Sequence, residues 1–262
     1  MARFCPLFSG SKGNCIAVGG ADSFVLIDAG VSAKRITDAL RERGLDISRL
    51  RGIFVTHEHS DHINGLRVLA SKHRLPVFAN SETMAELDRH GHLAGTVGGT
   101  QITEDGIELE GMRITPFATS HDTVKSWGYK IETADGRTAA VATDTGCVTD
   151  AMHAALTGCD LVYIESNHDV AMLMNGSYDP WLKQRVMSSR GHLSNDACAV
   201  ELQYLVSTGS TRFVLGHLSR ENNRPELAES TAAGALDSLR MRRGIDYTLD
   251  VAPPCGLGLT IF

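Results

Sequence analysis

The chain contains 262 residues, of which 42% are hydrophobic and 21% are charged, and its formal net charge is −6. These values are typical of an ordinary globular protein, and no apolar run approaches the roughly 18 residues that a membrane span requires. The negative charge gives no sign of general nucleic-acid binding, although a local basic patch is compatible with it.

The N-terminus and the cysteines indicate a cytoplasmic protein. The first residues lack the long apolar core of a secretory signal, and six cysteines are scattered without a Cys-x-x-Cys pair, so we expect reduced thiols. We find no internal repeat, low-complexity tract or linker. Residues 1–262 are therefore predicted to form one α/β domain, whose oligomeric state the sequence does not specify.

A turn-rich loop, Leu7–Asn14, is predicted between two apolar runs near the N-terminus. Its glycines permit close backbone approach, and Ser11 and Asn14 offer a hydroxyl and an amide to an anion. A plain hairpin turn explains the same composition equally well. The next apolar run, Phe24–Ile27, predicts a buried strand that ends at Asp28, whose carboxylate can support a neighbouring loop or a metal-binding histidine.

The densest group of metal-ligand residues follows the apolar run Ile53–Val55. Three histidines and a carboxylate fall within six residues: His57, His59, Asp61 and His62. His57 and His59 can face the same side of an extended chain, while Asp61 and His62 lie beyond the bend. Such ligands suit zinc, manganese or iron, and two ligand pairs predict two divalent ions. An ordinary polar loop would show this pattern by chance in about one such chain in a thousand.

Alternating patterns and turn residues predict the remaining elements. Helices are expected over Ala33–Arg43, over Leu66–Ser71, from Ser81 with that residue as its cap, and over Pro225–Arg240. Antiparallel strands are expected within 100–133, and further strands over Pro76–Phe78, Arg137–Ala142, Asp160–Glu165, Arg212–Gly216, Tyr247–Val251 and Leu257–Ile261. Strands and helices interleave in both halves, which suits two sheets between helix layers.

One loop cannot close two coordination shells, so the missing ligands are expected where other strands end. His121, Asp144 and His217 answer that description. Most single histidines are satisfied polar residues, so position at a strand end does not by itself assign these residues to a metal.

Thr56–His62 resembles the T-H-x-H-x-D-H signature of the metallo-β-lactamase superfamily. His121 with Trp127-Gly128-Tyr129, then Thr143-Asp144-Thr145 and Leu215-Gly216-His217, resemble its later motifs. The resemblance implies a four-layered αββα sandwich with the site at one edge between the sheets. It also implies one ion held by His57, His59 and His121, a second held by Asp61, His62 and His217, and Asp144 bridging both. Nucleases and phosphodiesterases of the superfamily usually keep all seven ligands, as this chain does.

A finer resemblance, to the YycJ/WalJ group of bacterial metallo-hydrolases, covers nearly the whole chain. It is carried by Ser9-Gly10-Ser11-x-Gly13-Asn14, Glu165–Asp169, Gly191–Asn195 and His217–Asn223; Lys12 departs from the small polar residue of many relatives. The resemblance implies a phosphodiesterase with exonuclease activity on DNA, acting 5′→3′.

Two cations can activate a bridging hydroxide and clamp the phosphoryl oxygens, but they supply no proton for the leaving alkoxide. We assign catalysis to Asp61 and to His192. A histidine similar to His192 stands opposite the metals in the tRNA 3′-processing endonucleases and small cyclic phosphodiesterases that the chain resembles. A helix-capping loop residue is the alternative for His192. His168 either contacts a substrate phosphate or caps a strand end.

A basic excess between residues 181 and 224 suits delivery of a polyanion, although a solvated helix face explains it nearly as well. Within it, Arg220 is expected to reach a phosphate, and Asn222 and Asn223 to bond sugar or backbone. Three hypotheses follow: a sequence-independent DNA exonuclease, a small-molecule phosphodiesterase of the phosphoribosyl cyclic phosphate type, and a non-hydrolytic regulatory or DNA-binding module.

Overall fold

The structure, a computed structural model, describes residues 1–262. Its strands are β1 Arg3–Phe8, β2 Cys15–Gly19, β3 Phe24–Ile27, β4 Leu50–Phe54, β5 Val77–Ala79, β6 Gly99–Gln101, β7 Ile107–Leu109, β8 Met112–Ala118, β9 Trp127–Glu132, β10 Thr138–Ala142, β11 Leu161–Glu165, β12 Arg212–Gly216, β13 Thr248–Val251 and β14 Thr260–Ile261. Its helices are α1 Ala33–Glu42, α2 Ser60–Ile63, α3 Leu66–His73, α4 Ser81–Arg89, α5 Asp150–Leu156, α6 Val170–Asn175, α7 Pro180–Val186, α8 Asn195–Ser207 and α9 Pro225–Ser238, with a 3-10 turn at Ile47–Arg49.

The strands form two sheets of seven strands each. The first has the order β14-β1-β2-β3-β4-β5-β6 and the second the order β13-β12-β11-β10-β9-β8-β7. Each sheet is part antiparallel and part parallel: β3 to β6 run parallel in the first, and β10 to β13 in the second. Parallel neighbours need crossover connections, and helices supply them on the outer face of each sheet.

Three apolar cores separate the layers. In β3, Val25 and Ile27 belong to the core between the sheets, whereas Phe24 and Leu26 belong to the core under the first helix layer. This alternation is the period of two that an extended chain imposes. Phe54 of the first sheet packs edge-on against Tyr129 of the second, with ring centroids 5.5 Å apart. A third core joins the second sheet to α5, α8 and α9. The predicted four-layered αββα sandwich is therefore confirmed.

Most predicted elements are confirmed to within a few residues, and three details are wrong. The cap of α4 is Asn80, whose side chain accepts a hydrogen bond from the Thr83 amide, so Ser81 is the first helical residue and not the cap. β6 pairs parallel with β5 in the first sheet, so the segment 100–133 is not antiparallel throughout. The last strand covers only Thr260–Ile261, since a turn at residues 254–255 and irregular chain over 256–259 precede it.

No helix is both long and apolar enough to cross a membrane. All six cysteines are free thiols, as the sequence suggested; the cytoplasmic location stays a prediction.

The parallel strands of the two sheets deliver polar side chains to one edge of the sandwich. Asp28 follows β3, Thr56 comes soon after β4, Asp144 follows β10, Glu165 ends β11 and His217 follows β12. Carboxyl ends of parallel strands are where open α/β sheets bind ligands. The arrangement positions the candidate site at that edge.

Candidate metal centre

The loop after β4 supplies four ligand-type side chains. His57 and His59 lie on the extended segment, and His59 caps the short helix α2, so Asp61 and His62 fall in its first turn. The loop is fastened to its neighbours by backbone bonds of 2.8 Å, from the Asn14 amide to the Asp61 carbonyl and from the Ala29 amide to the His62 carbonyl.

Close backbone approach at this loop requires glycine. A Cβ on Gly30 would lie 1.7 Å from the Asp61 carbonyl oxygen, and one on Gly65 would lie 2.0 Å from the Val31 carbonyl oxygen. Any side chain at either position would push the loop away from its supporting segment. The absence of a side chain at Gly30 and Gly65 therefore allows the loop after β4 to pack directly on its supporting segment.

The second sheet supplies its residues one at a time, from separate loops. Asp144 and His217 adopt left-handed backbone conformations, with φ of 54° at both, and so does Asp28, with φ of 64°. Non-glycine residues seldom adopt this conformation, and such strain clusters at functional sites. Three of the six such residues in the chain lie at this centre.

The side chains meet in two groups that match the two expected ligand sets. His57, His59 and His121 form one group, and Asp61, His62 and His217 form the other. In each group the ligand atoms lie within 4.8 Å of one another.

Asp144 lies between the two groups. Its Oδ2 is 3.1 Å from His62 Nε2, and its Oδ1 is 3.7 Å from His121 Nε2 and 3.4 Å from His217 Nδ1. One carboxylate thus reaches ligands of both groups.

The residues fit a divalent cation by their unsatisfied atoms. Nε2 of His57 and Nε2 of His217 are buried, and neither has a hydrogen-bond partner. Buried polar atoms are normally paired, so two imidazole nitrogens without a partner in one cluster indicate that a bound cation completes their coordination. Imidazole nitrogen with carboxylate oxygen is the donor set of zinc, manganese and iron.

The electrostatics of the cluster also favour a cation. Burial lowers the pKa of His57 well below its ordinary value, which keeps the ring neutral and able to act as a ligand. Burial would lower the pKa of His62 and His217 as well, but the carboxylates around them, Asp144 first, raise it well above the ordinary value. Positive charge is therefore stabilised here, and a metal ion would replace those protons.

Asp28 holds the loop after β4. Its Oδ2 accepts from His62 Nδ1 at 2.7 Å and from the Thr56 hydroxyl at 2.9 Å, and its Oδ1 accepts from the Thr56 amide at 2.8 Å. The bond to Nδ1 leaves His62 Nε2 directed at the centre. The structure thus places Asp28 in the supporting position that the sequence suggested.

Glu165 is the residue that the sequence analysis missed. It is fully buried, and its Oε1 accepts from His217 Nδ1 at 2.7 Å and from His192 Nδ1 at 2.8 Å. Its Oε2 accepts from the amides of Thr145 and Leu193. Glu165 could have been identified from the sequence, because it is a carboxylate at the end of an apolar run, as Asp28 is.

His192 lies beside the centre and is partly open to solvent, with 17% of its side chain exposed. Its ring centroid is 5.0 Å from that of His121 and 5.4 Å from that of His217. Burial alone would lower the pKa of His192, but the Glu165 carboxylate raises it above the ordinary value. Glu165 in turn keeps a pKa of about 2, because the neighbouring histidines outweigh the effect of its burial.

A further grouping, Asp144 with Glu165, His192 and His217, also brings ligand atoms within 4.8 Å of one another. Both histidine Nδ1 atoms in it donate to Glu165, so neither has a lone pair free for a metal. We therefore regard Glu165 as an anchor for the two rings and not as a metal ligand.

The expected substrate residues are distributed unevenly around the centre. Ser11 and Arg220 are exposed, whereas Asn14 is buried and its Nδ2 lies 3.1 Å from His62 Nε2 and 3.4 Å from Asp61 Oδ2. His168 is 2% exposed, and its Nδ1 has no hydrogen-bond partner. Asn14 therefore contacts His62 and Asp61 from a buried position, and His168 lies below the surface.

Asn222 and Asn223 do not reach the surface, which corrects the expectation that they contact DNA. They are 1% and 4% exposed. The Asn223 amide donates to the carbonyl oxygens of Ser166 and Asn167 and to the Asn195 side chain. The Asn222 carbonyl accepts from the Asp169 amide. Both residues hold neighbouring loops together, and neither has a face open to a ligand.

The basic segment 181–224 is also less available than its composition suggests. Arg185 pairs with Asp122, and Arg190 donates to the carbonyl oxygens of His121 and Thr123. These two arginines position the loop that carries His121. Of the segment's exposed arginines, Arg220 and Arg224 have neither an ion pair nor a side-chain hydrogen bond.

Comparison with known proteins agrees with this geometry. Residues 24–218 match the β-lactamase superfamily domain. The chain is 37% identical to the exodeoxyribonuclease YycJ of Bacillus anthracis over 90% of this chain and 89% of that one. It is 37% identical to the exodeoxyribonuclease WalJ of Streptococcus pneumoniae over 98% of this chain and 97% of that one. Among solved structures, the metallo-β-lactamase fold protein YhfI of Bacillus subtilis superposes over 100% of both chains with a TM-score of 0.74 at 16% identity.

Proposed function

The chain belongs to the metallo-β-lactamase superfamily, and from that premise we propose that it is a two-metal phosphodiesterase that removes nucleotides from DNA ends. The superfamily consists of metal-dependent hydrolases, and the relatives YycJ and WalJ are named exodeoxyribonucleases. We propose that cleavage is independent of base sequence and proceeds 5′→3′; the polarity is supported by the resemblance to the YycJ/WalJ group alone.

One observation carries the two-metal proposal: two three-residue groups lie on either side of Asp144. We assign His57, His59 and His121 to one ion, Asp61, His62 and His217 to the other, and Asp144 to both. Two divalent cations held by these residues would supply an activated water and neutralise charge on the phosphoryl oxygens. Zinc, manganese and iron all suit the donor set.

Three residues of the chain are proposed to orient the substrate and the proton donor. Asp61 is more exposed than Asp28, Asp144 and Glu165, with 23% of its side chain open, so it faces the space where a phosphodiester would bind. Glu165 accepts from His192 Nδ1, which leaves His192 Nε2 free to give a proton to the leaving alkoxide. The same carboxylate fixes His217, so the proton donor and a ligand share one anchor.

Metal content tests the number of ions. Elemental analysis of the wild-type protein is expected to give two ions per chain, and Asp61→Ala with His62→Ala is expected to give one. Asp144→Ala should weaken both sites. Two ions retained in the Asp61/His62 double variant would contradict the assignment.

Substrate and polarity are tested on end-labelled DNA. Purified protein with manganese should release mononucleotides from linear single- or double-stranded DNA, and a 5′ label should be lost before a 3′ label. A cyclic ribose phosphate serves as the parallel substrate. Fast turnover of that compound with intact DNA would replace the exonuclease proposal by a small-molecule phosphodiesterase.

A further inference from the structure

A basic pocket of about 280 Å³ lies beside the metal centre and has no part in the catalytic arrangement described above. The side chains of Lys12, Arg35 and Arg220 line it, together with the backbone of the loop Ser9–Gly13 and with Val31. The three cations come from three separate parts of the chain, so only the fold brings them together.

The charge of this pocket is unbalanced. No acidic residue lines it, and none of Lys12, Arg35 and Arg220 has a carboxylate within ion-pair distance. The next cations along α1 are paired in the ordinary way, Lys34 and Arg41 both with Asp38 at 2.8 Å. Three unpaired cations around one pocket attract an anion, because their mutual repulsion is relieved when one binds.

A ring contact holds Arg35 at the border of the pocket. Its guanidinium lies over the Phe8 ring, 4.6 Å from the ring centroid. Phe8 and Arg35 also line an adjoining groove that contains Asp38 and Glu42, and neither of these carboxylates lies within ion-pair distance of Arg35.

The pocket is joined to one half of the metal centre. The Ser9 hydroxyl accepts from the His217 amide at 2.8 Å, and Arg220 follows His217 by three residues. On the other wall, Gly13 precedes Asn14, whose side chain lies 3.1 Å from His62 Nε2. An anion in the pocket would therefore lie on the Asp61, His62 and His217 side of the centre.

We propose that this pocket binds one backbone phosphate of the DNA strand, adjacent to the phosphodiester that is cleaved. The inference rests on the proposed function and adds the residues that hold the strand, Lys12 and Arg35 with Arg220. The volume is smaller than that of sites for whole drug-sized ligands, which suits a phosphate with part of its sugar. It also explains how a chain with a net charge of −6 holds a polyanion.

The test compares the triple variant Lys12→Ala, Arg35→Ala, Arg220→Ala with the wild-type holoenzyme. The probe is a fluorescent single-stranded oligonucleotide with phosphorothioate linkages that resist cleavage, and its Kd is measured over a series of salt concentrations. The Kd is expected to rise about tenfold or more, since hydrogen bonds to charged groups are the strong ones. The slope of log K against log salt should fall by about 0.7, the value for one phosphate contact on a single strand.

Arg224→Ala is the matched control. Arg224 is an exposed cation four residues after Arg220, but it does not line the pocket. The Kd of the Arg224→Ala variant for the oligonucleotide is expected to stay within about twofold of the wild-type value, because an isolated surface charge contributes little to binding. Turnover of bis-p-nitrophenyl phosphate, which has no neighbouring phosphate, reports whether the metal centre of each variant is intact.

The outcomes separate the two proposals. Unchanged Kd and salt slope in the triple variant would overturn the pocket assignment, and so would an equal loss in Arg224→Ala. A triple variant that also loses its metals or its turnover of the small diester would assign these cations to support of the centre, against the proposal. A wild-type protein that binds the oligonucleotide through these residues, yet leaves unprotected DNA uncut, would overturn the exonuclease and retain the pocket.

Discussion

Each sheet of the sandwich contributes one buried carboxylate that holds histidines at the centre, and the two are used differently. Asp28, after β3, binds one ring, that of His62, and otherwise serves the adjacent Thr56. Glu165, at the end of β11, binds two rings, those of His192 and His217, and two amides of other loops. Asp28 supports a contiguous loop, whereas Glu165 connects residues that no single loop could connect.

The two anchors differ because one part of the centre is held by contacts local in the chain and the other by contacts between distant residues. The four ligand-type side chains after β4 come from six successive residues, so one anchor and close backbone contacts are enough to hold them. The residues from the second sheet arrive singly, and their relative positions depend on a shared partner. Loss of Glu165 should therefore disturb the chemistry more than loss of Asp28, and the following predictions test that ranking.

Glu165→Gln is expected to have the largest effect. The amide keeps the shape but removes the charge that orients His192 and His217, so kcat should fall by about 10³-fold or more, in the upper part of the range for loss of acid–base catalysis. Excess metal should not restore the rate. Steady-state kinetics on DNA with titrated manganese measures this, and full rescue by metal would reduce Glu165 to a support like Asp28.

His192→Ala isolates one of the two rings that Glu165 holds. We expect kcat on DNA to fall by about 10²–10⁴-fold with metal content unchanged. Bis-p-nitrophenyl phosphate should suffer much less, because its leaving group needs no proton. Equal losses on both substrates would exclude His192 as the proton donor. The fall in kcat of Glu165→Gln would then be attributed to the loss of its bond to His217.

Asp28→Asn tests the other anchor. Removal of a partner that orients a metal-bound histidine typically costs about 10–100-fold in metal affinity. The expected result is that activity falls at limiting metal and returns at saturating metal. Calorimetric titration of the metal-free protein measures the affinity. A kcat that stays low at saturation would show that both carboxylates act alike.

Thr56→Val should give the smallest effect of the series. The hydroxyl donates to Asp28 Oδ2 at 2.9 Å and can accept from His57 Nδ1 at 3.0 Å, while the Thr56 amide keeps its own bond to the Asp28 carboxylate. Loss of each such bond costs about 1 kcal/mol, which corresponds to roughly fivefold in metal affinity per bond. Thr56→Ser keeps the hydroxyl and is the control. A loss in Thr56→Val as large as in Asp28→Asn would place the anchoring function on the hydroxyl.

Much of the fold could be predicted because its strands carry their own pattern. Phe24–Ile27 and Arg212–Gly216 are short apolar runs bounded by polar or turn residues, and both are strands as predicted. The wrong predictions concern features that depend on a neighbouring element or residue. The pairing of β6 depends on β5, and the cap of α4 depends on which of two polar residues, Asn80 or Ser81, turns toward the helix.

The sequence alone predicted a cluster of ligand-type side chains at residues 57–62, because residues that follow one another in the chain stay close in any fold. Only the tertiary structure decided that Glu165 connects His192 with His217, that Asn222 and Asn223 are buried, and that Lys12, Arg35 and Arg220 share one pocket. Distances between residues far apart in the chain depend on strand order and on the crossover of each helix. No local pattern encodes these, because each side chain carries the same signal whether its partner is present or not.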